Sequence, residues 1–189
     1  MLVLSSLSDP QLPPLLKAGK VGVMPTDTVY GLVALATDKD AVARLYELKH
    51  REHKPGTLIA ASAEQLIALG LEEQTVRSVA HFWPNPLSVV IRDLPSLGYL
   101  DQGLGGLAVR VPLPQELRDL LQATGSLLTS SANEPGKPTA NNVEEAQAYF
   151  GDTVDFYVDG GDLSGHPPST VARFVDGRLE VLRQGAFKF

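Results

Sequence analysis

Positive side chains are concentrated in the stretch ELKHREHKPG of a chain whose formal net charge is −6. Lys49, Arg51 and Lys54 lie close together there, with two histidines between them. Arginine offers a planar fork of donors and lysine a mobile point charge, so such a cluster suits a polyphosphate. The competing interpretation is a helix C-terminus whose cations interact favourably with the helix dipole. Taken alone, this segment favours the helix end.

A second polar group follows an apolar run in the stretch LLTSSANEPGKPTA. Thr129, Ser130, Ser131 and Asn133 supply hydroxyls and an amide at the predicted carboxyl end of a strand. Ligands of open α/β sheets bind at this position. The alternative is a turn in which the Ser and Asn side chains satisfy their own backbone.

A third group lies in MPTDTVYGL, again just past a buried strand. Thr26, Asp27, Thr28 and Tyr30 would join the other two groups if the three loops share one edge of the sheet. The alternative is a turn begun by proline, with Tyr30 packed in the core.

Several other chemistries lose support. The stretch GLGGLA matches a dinucleotide fingerprint in letters, but a strand follows it where that motif needs a helix. The sequence contains no Walker A loop, no G-x-S-x-G elbow and no H-E-x-x-H pair. It contains no cysteine either, which excludes disulfides, thiolate zinc sites and thiol nucleophiles.

The elements that would position these loops alternate between strands and helices. A helix is predicted from Asp38 as N-cap, with Val42, Leu45 and Tyr46 on one stripe that Lys49 continues inward or along a cleft. Further strands are predicted in TLIAAS, LSVVI, GGLAVRVP and SLLTSSAN. Further helices are predicted at 63–69, 72–82, 114–125 and 142–150. A final hairpin is predicted to turn at Asp176-Gly177. Alternation of this kind predicts an α/β domain with a twisted mixed sheet.

Composition limits the surroundings in which the chain works. At 189 residues it is predicted to form a single domain, 1–189. A pI of 5.2 disfavours binding of nucleic acid through charge alone. The apolar opening has no Lys or Arg before Lys17 and is interrupted by prolines, so it predicts neither a signal peptide nor a membrane span. We therefore expect a cytoplasmic protein with no membrane association.

Taken together, the segments resemble the YrdC/Sua5 family in its short bacterial form. The resemblance covers most of the chain in family order, and it outweighs the structural alternatives given above. Its segments are PTDTVYGL (25–32), LKHREHKP (48–55), WPNPLSVVI (83–91), LAVRVP (107–112), TSSANEPGKPTA (129–140), STVARF (169–174) and LRQG (182–185).

The resemblance implies a YrdC-like α/β fold with a wide electropositive groove and a threonylcarbamoyl-AMP synthase activity. That reaction joins L-threonine, bicarbonate and ATP, with Mg²⁺ assisting, into L-threonylcarbamoyladenylate and pyrophosphate. Other proteins then transfer the threonylcarbamoyl group to tRNA in t6A modification. The implied catalytic residues are Lys49 and Arg51; the nucleotide-binding residues are Lys49, Arg51, Lys54, Ser131, Asn133 and Arg183; the threonine-binding residues are Thr28, Tyr30, Arg110 and Ser169. No side chain is expected to ligate a metal.

The match has three departures. Val33 follows the first segment where the family often has Gly, Glu52 follows Arg51 where Pro is usual, and Pro135 replaces a common Ser. The C-terminal domain of the longer Sua5 form is expected to be absent.

Three alternatives compete with this interpretation, and the sequence discounts the second and the third. A double-stranded RNA-binding or ribosome-maturation module of the same fold is the main one, with weak RNA binding expected at this pI. The YciO-like group commonly lacks the K-x-R and S-x-N pairs, both of which occur here. The carbamoyl-transfer domain of hydrogenase maturation proteins normally accompanies cysteine-containing segments.

Overall fold

The computed structural model describes residues 1–50, 53–92, 95–175 and 177–189. The strands are β1 (Val3–Leu4), β2 (Gly22–Pro25), β3 (Tyr30–Leu35), β4 (Thr57–Ile59), β5 (Leu87–Ile91), β6 (Leu107–Arg110), β7 (Leu127–Ser131), β8 (Phe156–Val158), β9 (Thr170–Val175) and β10 (Arg178–Arg183). The α-helices are α1 (Leu12–Lys17), α2 (Lys39–Leu48), α3 (Ala63–Leu69), α4 (Glu73–Val79), α5 (Gln115–Thr124) and α6 (Val143–Phe150).

All described strands join one sheet in the order β1-β8-β2-β3-β7-β4-β6-β5-β9-β10. The β1–β8, β8–β2, β4–β6 and β5–β9 pairs are parallel, and the other pairs are antiparallel. The predicted α/β class with a mixed sheet is therefore confirmed. The electropositive character of the groove stays a prediction.

Successive side chains of a strand point to opposite faces of the sheet, and helices cover both faces. Leu32 and Ala34 of β3 pack in a large cluster that includes buried residues of α2, α3, α4 and α6. Val33, between them, packs in a second cluster with residues of α1 and α5. This burial leaves β3 without a polar alternation, which is why the sequence pattern predicted a loop there and missed the strand.

Most helix ends follow from local sequence. Asp38 accepts hydrogen bonds from the N–H groups of Asp40 and Ala41, which confirms it as the N-cap of α2. Asn142 caps α6 by accepting from Glu145 N–H, but the Glu145 carboxylate accepts from Asn141 N–H rather than from Asn142 N–H, so the two residues do not form a reciprocal capping box.

The remaining boundaries differ from prediction by short stretches. The predicted helix over 72–82 is α4 followed by a single 3₁₀ turn, Ala80–Phe82. Pro114 is the N-cap of α5 rather than its first helical residue. The β9–β10 hairpin is confirmed by the pairing of Val175 with Arg178, while Asp176 lies outside the described residues. Within the described ranges no helix is both long and apolar enough to cross a membrane.

Candidate active site

A polar cavity of about 260 Å³ lies where loops from several neighbouring strands meet. Five of the predicted site residues line it: Thr28, Arg110, Ser131, Ser169 and Arg183. Two larger cavities, of about 390 and 650 Å³, are lined by none of the predicted site residues within the described part of the chain. The smaller cavity is therefore the candidate active site.

Strand pairing brings the cavity residues together. Gly31 of β3 lies opposite Ser131 of β7, and Thr129 of β7 lies opposite Thr57 of β4. The approach at Gly31 is close, since a Cβ there would lie 2.5 Å from Thr129 Oγ1. The hairpin between β2 and β3 can reach the end of β7 because position 31 has no side chain.

Arg110 is buried at the end of β6 and is already paired. Its Nη2 donates to Asp27 Oδ1 at 2.7 Å and its Nη1 donates to Ser88 Oγ at 2.8 Å. The side chains of Arg110 and Asp27 are 4% and 1% exposed. Asp27 Oδ2 and Arg110 Nε are buried without a hydrogen-bond partner among the described residues. Arg110, which the family resemblance implied as a threonine-binding residue, thus has a charged partner within the protein.

A chain of polar contacts continues from this ion pair along the cavity. Ser88 Oγ lies 3.2 Å from Ser169 Oγ, and Arg183 Nη2 donates to the Ser169 carbonyl at 2.9 Å. Ser88 belongs to β5 and is fully buried, and the sequence analysis did not identify it. The available signal was a single hydroxyl inside an apolar strand, which must find a partner when buried.

Lys49 is the C-cap of α2 and is only 2% exposed, so it points inward as predicted. Its Nζ donates to Ser131 O at 2.8 Å, to Asn133 O at 2.6 Å and to Asn133 Oδ1 at 2.7 Å. Ser131 Oγ also donates to Asn133 Oδ1, at 2.7 Å. Lys49 of the K-x-R segment therefore contacts the S-x-N segment and holds the turn that follows β7.

The other two cations of the basic cluster are Arg51 and Lys54. Arg51 and Glu52 lie outside the described residues. Lys54 is exposed, and its backbone N–H donates to Gln102 Oε1 at 2.8 Å. Pro55 and Gly56, directly after it, line the cavity. Lys54 therefore directly precedes part of the cavity wall.

Tyr30 is fully buried, and the described cavity lining does not include it. Its hydroxyl donates to Gly161 O at 2.9 Å and accepts from Gly160 N–H at 2.8 Å. Burial raises the pKa of this phenol above its ordinary value, so the hydroxyl keeps its proton at neutral pH. A direct contact between Tyr30 and threonine stays a prediction, and the observed contacts favour the core alternative.

The structure shows where two of the three departures from the family pattern lie, Val33 and Pro135. Val33 pairs with Gly22 and Thr129 within β3 and is fully buried, so it occupies ordinary strand backbone. Pro135 lies in the exposed turn after the S-x-N segment.

Comparison with solved structures defines the class of fold. The structure of E. coli YciO superposes with a TM-score of 0.82 at 23% identity, covering 99% of this chain and 96% of that chain. The structure of P. abyssi Sua5 complexed with L-threonine superposes with a TM-score of 0.86 at 28% identity. That superposition covers 98% of this chain but only 58% of the Sua5 chain.

The sequence comparison names the family. The Sua5_yciO_yrdC model, described as "Telomere recombination", matches residues 14–185, and the chain belongs to this family. A relative named threonylcarbamoyl-AMP synthase from Klebsiella pneumoniae is 34% identical over 177 residues, which are 90% of this chain and 92% of that protein.

Proposed function

We propose that the chain is a threonylcarbamoyl-AMP synthase that joins L-threonine, bicarbonate and ATP and releases pyrophosphate. The observation that carries the proposal is the convergence of Thr28, Arg110, Ser131, Ser169 and Arg183 on one cavity. The family resemblance implies a substrate-binding role for each of these residues. The activity named for relatives that match nearly the whole chain supports the same reaction.

The cavity divides into two ends in this proposal. Thr28, Arg110 and Ser169 bind threonine, and the N–H bonds of Arg110 Nη1 and Nη2 that Ser88 and Asp27 leave unused are available for its carboxylate. Ser131 and Arg183 bind the nucleotide, together with Asn133 and the cations Lys49, Arg51 and Lys54.

The reaction needs positioning and charge stabilisation more than a nucleophilic side chain. Threonine's amine adds to CO₂ or bicarbonate to give a carbamate, whose oxygen attacks the α-phosphate of ATP while pyrophosphate leaves. Negative charge develops on phosphate oxygens in the transition state, and fixed cations and N–H donors stabilise it. Lys49 contributes by holding Ser131 and Asn133, and Arg51 is assigned to the phosphates directly.

A metal ion enters the proposal only with the nucleotide. The described residues hold no cluster of three or more His, Cys, Asp or Glu side chains that fits a metal. Mg²⁺ binds readily to substrate phosphate oxygens, so Mg²⁺–ATP is the proposed substrate. No catalytic step is assigned to a protein-bound metal.

The product is proposed to pass to proteins that transfer the threonylcarbamoyl group to tRNA, in the cytoplasm. The acidic pI limits any RNA contact to weak, salt-sensitive binding. Duplex RNA bound tightly at physiological salt would favour the RNA-binding alternative.

Pyrophosphate release from ATP, bicarbonate and Mg²⁺ tests the proposal, with and without L-threonine. Lys49→Ala and Arg51→Ala are each expected to abolish threonine-dependent release. Lys17→Ala and Arg178→Ala are matched controls, because both remove an exposed cation remote from the cavity lining. Absence of threonine-dependent release in the wild type would reject the synthase.

A further inference from the structure

The connection between β8 and β9 crosses most of the sheet. These strands are second and ninth in the sheet order, so six strands lie between them. Seven inter-strand spacings of about 4.8 Å amount to about 34 Å across a flat sheet, and twist shortens this distance. The twelve Cα–Cα steps from Val158 to Thr170 reach at most about 40–43 Å. Residues 159–168, which we call the crossover segment, therefore have limited spare length, part of which is taken up by the turn in which His166 N–H donates to Leu163 O.

Contacts along the crossover segment follow the order of the strands it passes. Asp159 N–H donates to Leu4 O, in β1, at 2.9 Å. Leu163 N–H donates to Asn141 O, in the loop after β7, at 2.8 Å. Between these two contacts, the segment meets β3 at the Tyr30 hydroxyl. The segment ends at Pro168, which lines the cavity together with the next residue, Ser169.

Tyr30 of β3 holds the crossover segment through two hydrogen bonds of a single hydroxyl. Its hydroxyl both donates and accepts, and the two bonds go to adjacent residues, Gly161 and Gly160. At the same point the segment packs against Pro25, since a Cβ added to Gly160 would lie 2.4 Å from Pro25 Cγ. Within the described ranges, Tyr30 is the one side chain outside the crossover segment that hydrogen-bonds to it.

We propose that Tyr30 is a positioning residue for the threonine end of the cavity. Its hydroxyl fixes where the crossover segment passes β3, and the short segment transmits that position to Pro168 and Ser169. Ser169 lies beside Ser88, which holds Arg110, so a displaced segment disturbs the guanidinium as well. The inference rests on the proposed function for the identity of the ligand, but the contact itself does not.

Tyr30→Phe tests the proposal with Tyr157→Phe as its control. Tyr157 is also fully buried in the sheet and its hydroxyl donates to Gly151 O at 2.7 Å, away from the crossover segment. We expect Tyr30→Phe to raise the KM for threonine about tenfold, in line with the loss of a buried hydroxyl's bonds. The KM for ATP and kcat should stay within about twofold, and Tyr157→Phe should change none of the three.

Hydrogen exchange supplies a readout that needs no activity. Peptides covering residues 159–165 should exchange faster in Tyr30→Phe than in the wild type, and at the wild-type rate in Tyr157→Phe. If the wild type shows no threonine-dependent pyrophosphate release, the proposed function fails and exchange alone decides the Tyr30 contact. Unchanged exchange in Tyr30→Phe, or an unchanged KM for threonine in an active enzyme, overturns the proposal.

Gly160→Ala is a second variant that leaves Tyr30 intact. Its Cβ would push the crossover segment away from Pro25, so we expect the same rise in the KM for threonine. Gly106→Ala is the matched control, because a Cβ there meets its neighbours at an ordinary 3.5 Å. A wild-type KM in an active, folded Gly160→Ala enzyme counts against transmission through the segment.

Discussion

The ammonium group of Lys49 donates to both oxygens of Asn133, to the carbonyl at 2.6 Å and to the side-chain amide at 2.7 Å. A third bond reaches Ser131 O at 2.8 Å, which matches the three donors that an ammonium has. Lys49 thus stabilises the turn that carries the proposed nucleotide-binding residues Ser131 and Asn133. Its cationic charge still lies next to the cavity.

Replacing Lys49 should therefore destabilise the fold as well as reduce activity. Lys49→Met keeps the length of the side chain but removes the ammonium donor from Ser131 O, Asn133 O and Asn133 Oδ1, the last of which keeps its bond from Ser131 Oγ. We expect the free energy of unfolding, measured in urea, to fall by about 1–3 kcal/mol. Lys17→Met, at an exposed position, should change stability by less than about 0.5 kcal/mol. Equal stability of Lys49→Met and the wild type would contradict the structural role.

Removing one partner of the Asp27–Arg110 ion pair should strongly lower the free energy of unfolding. Both side chains are nearly inaccessible, so Asp27→Ala leaves a buried guanidinium uncompensated and should lower the free energy of unfolding by about 3–5 kcal/mol. Adding Arg110→Met to this variant should restore part of the loss, since the stranded charge is removed.

The exposed Arg173–Glu180 pair is the matched control for that cycle. Its side chains are about half exposed, and Glu180→Ala should cost less than about 1 kcal/mol. A loss of that small size for Asp27→Ala would show that solvent reaches Arg110 and that the pair is not buried in solution.

Asp155 should make stability depend on pH at the acid end. Burial raises its pKa, but hydrogen bonds from Val21 N–H and Arg44, together with the charges of Arg44 and Lys20, outweigh this effect and lower the pKa below its ordinary value. A lowered folded-state pKa stabilises the fold above the unfolded value, about 3.9, and the contribution is lost as pH falls through the folded pKa.

The Tm difference between the wild type and Asp155→Asn should therefore be constant from about pH 8 to pH 5 and shrink below about pH 4. Asp152→Asn is the control, because Asp152 is largely exposed. A difference that grows on acidification would have the wrong sign for this assignment.

Discrimination between threonine and serine should be limited. The two substrates differ by one methyl group, whose packing supports a ratio of kcat/KM of about 10–200. Serine at high concentration should therefore support measurable pyrophosphate release in the wild type. Complete rejection of serine would mean that the site discriminates by an interaction stronger than packing against the methyl group.

Part of the fold could be predicted because local rules decide it. Asp38 and Asn142 cap their helices as their types and positions predict, and Gly125 ends α5. The strand β3 was missed because it is buried on both faces and lacks alternation, and the two-residue strand β1 is too short for a periodic signal. Periodicity depends on exposure to solvent, which is a property of the finished fold.

The candidate site divides in the same way. The sequence by itself determined which residue types and motifs carry phosphate and carboxylate chemistry, because motif order and side-chain chemistry are written in the chain. Only the tertiary structure decided which of these side chains face the cavity and which hold it in place. Asp27 and Ser88 pair with Arg110 across 83 and 22 positions of the chain, and Tyr30 meets Gly161 across 131. Contacts over such separations depend on sheet order and register, which are set by the packing of the whole sheet rather than by any local pattern.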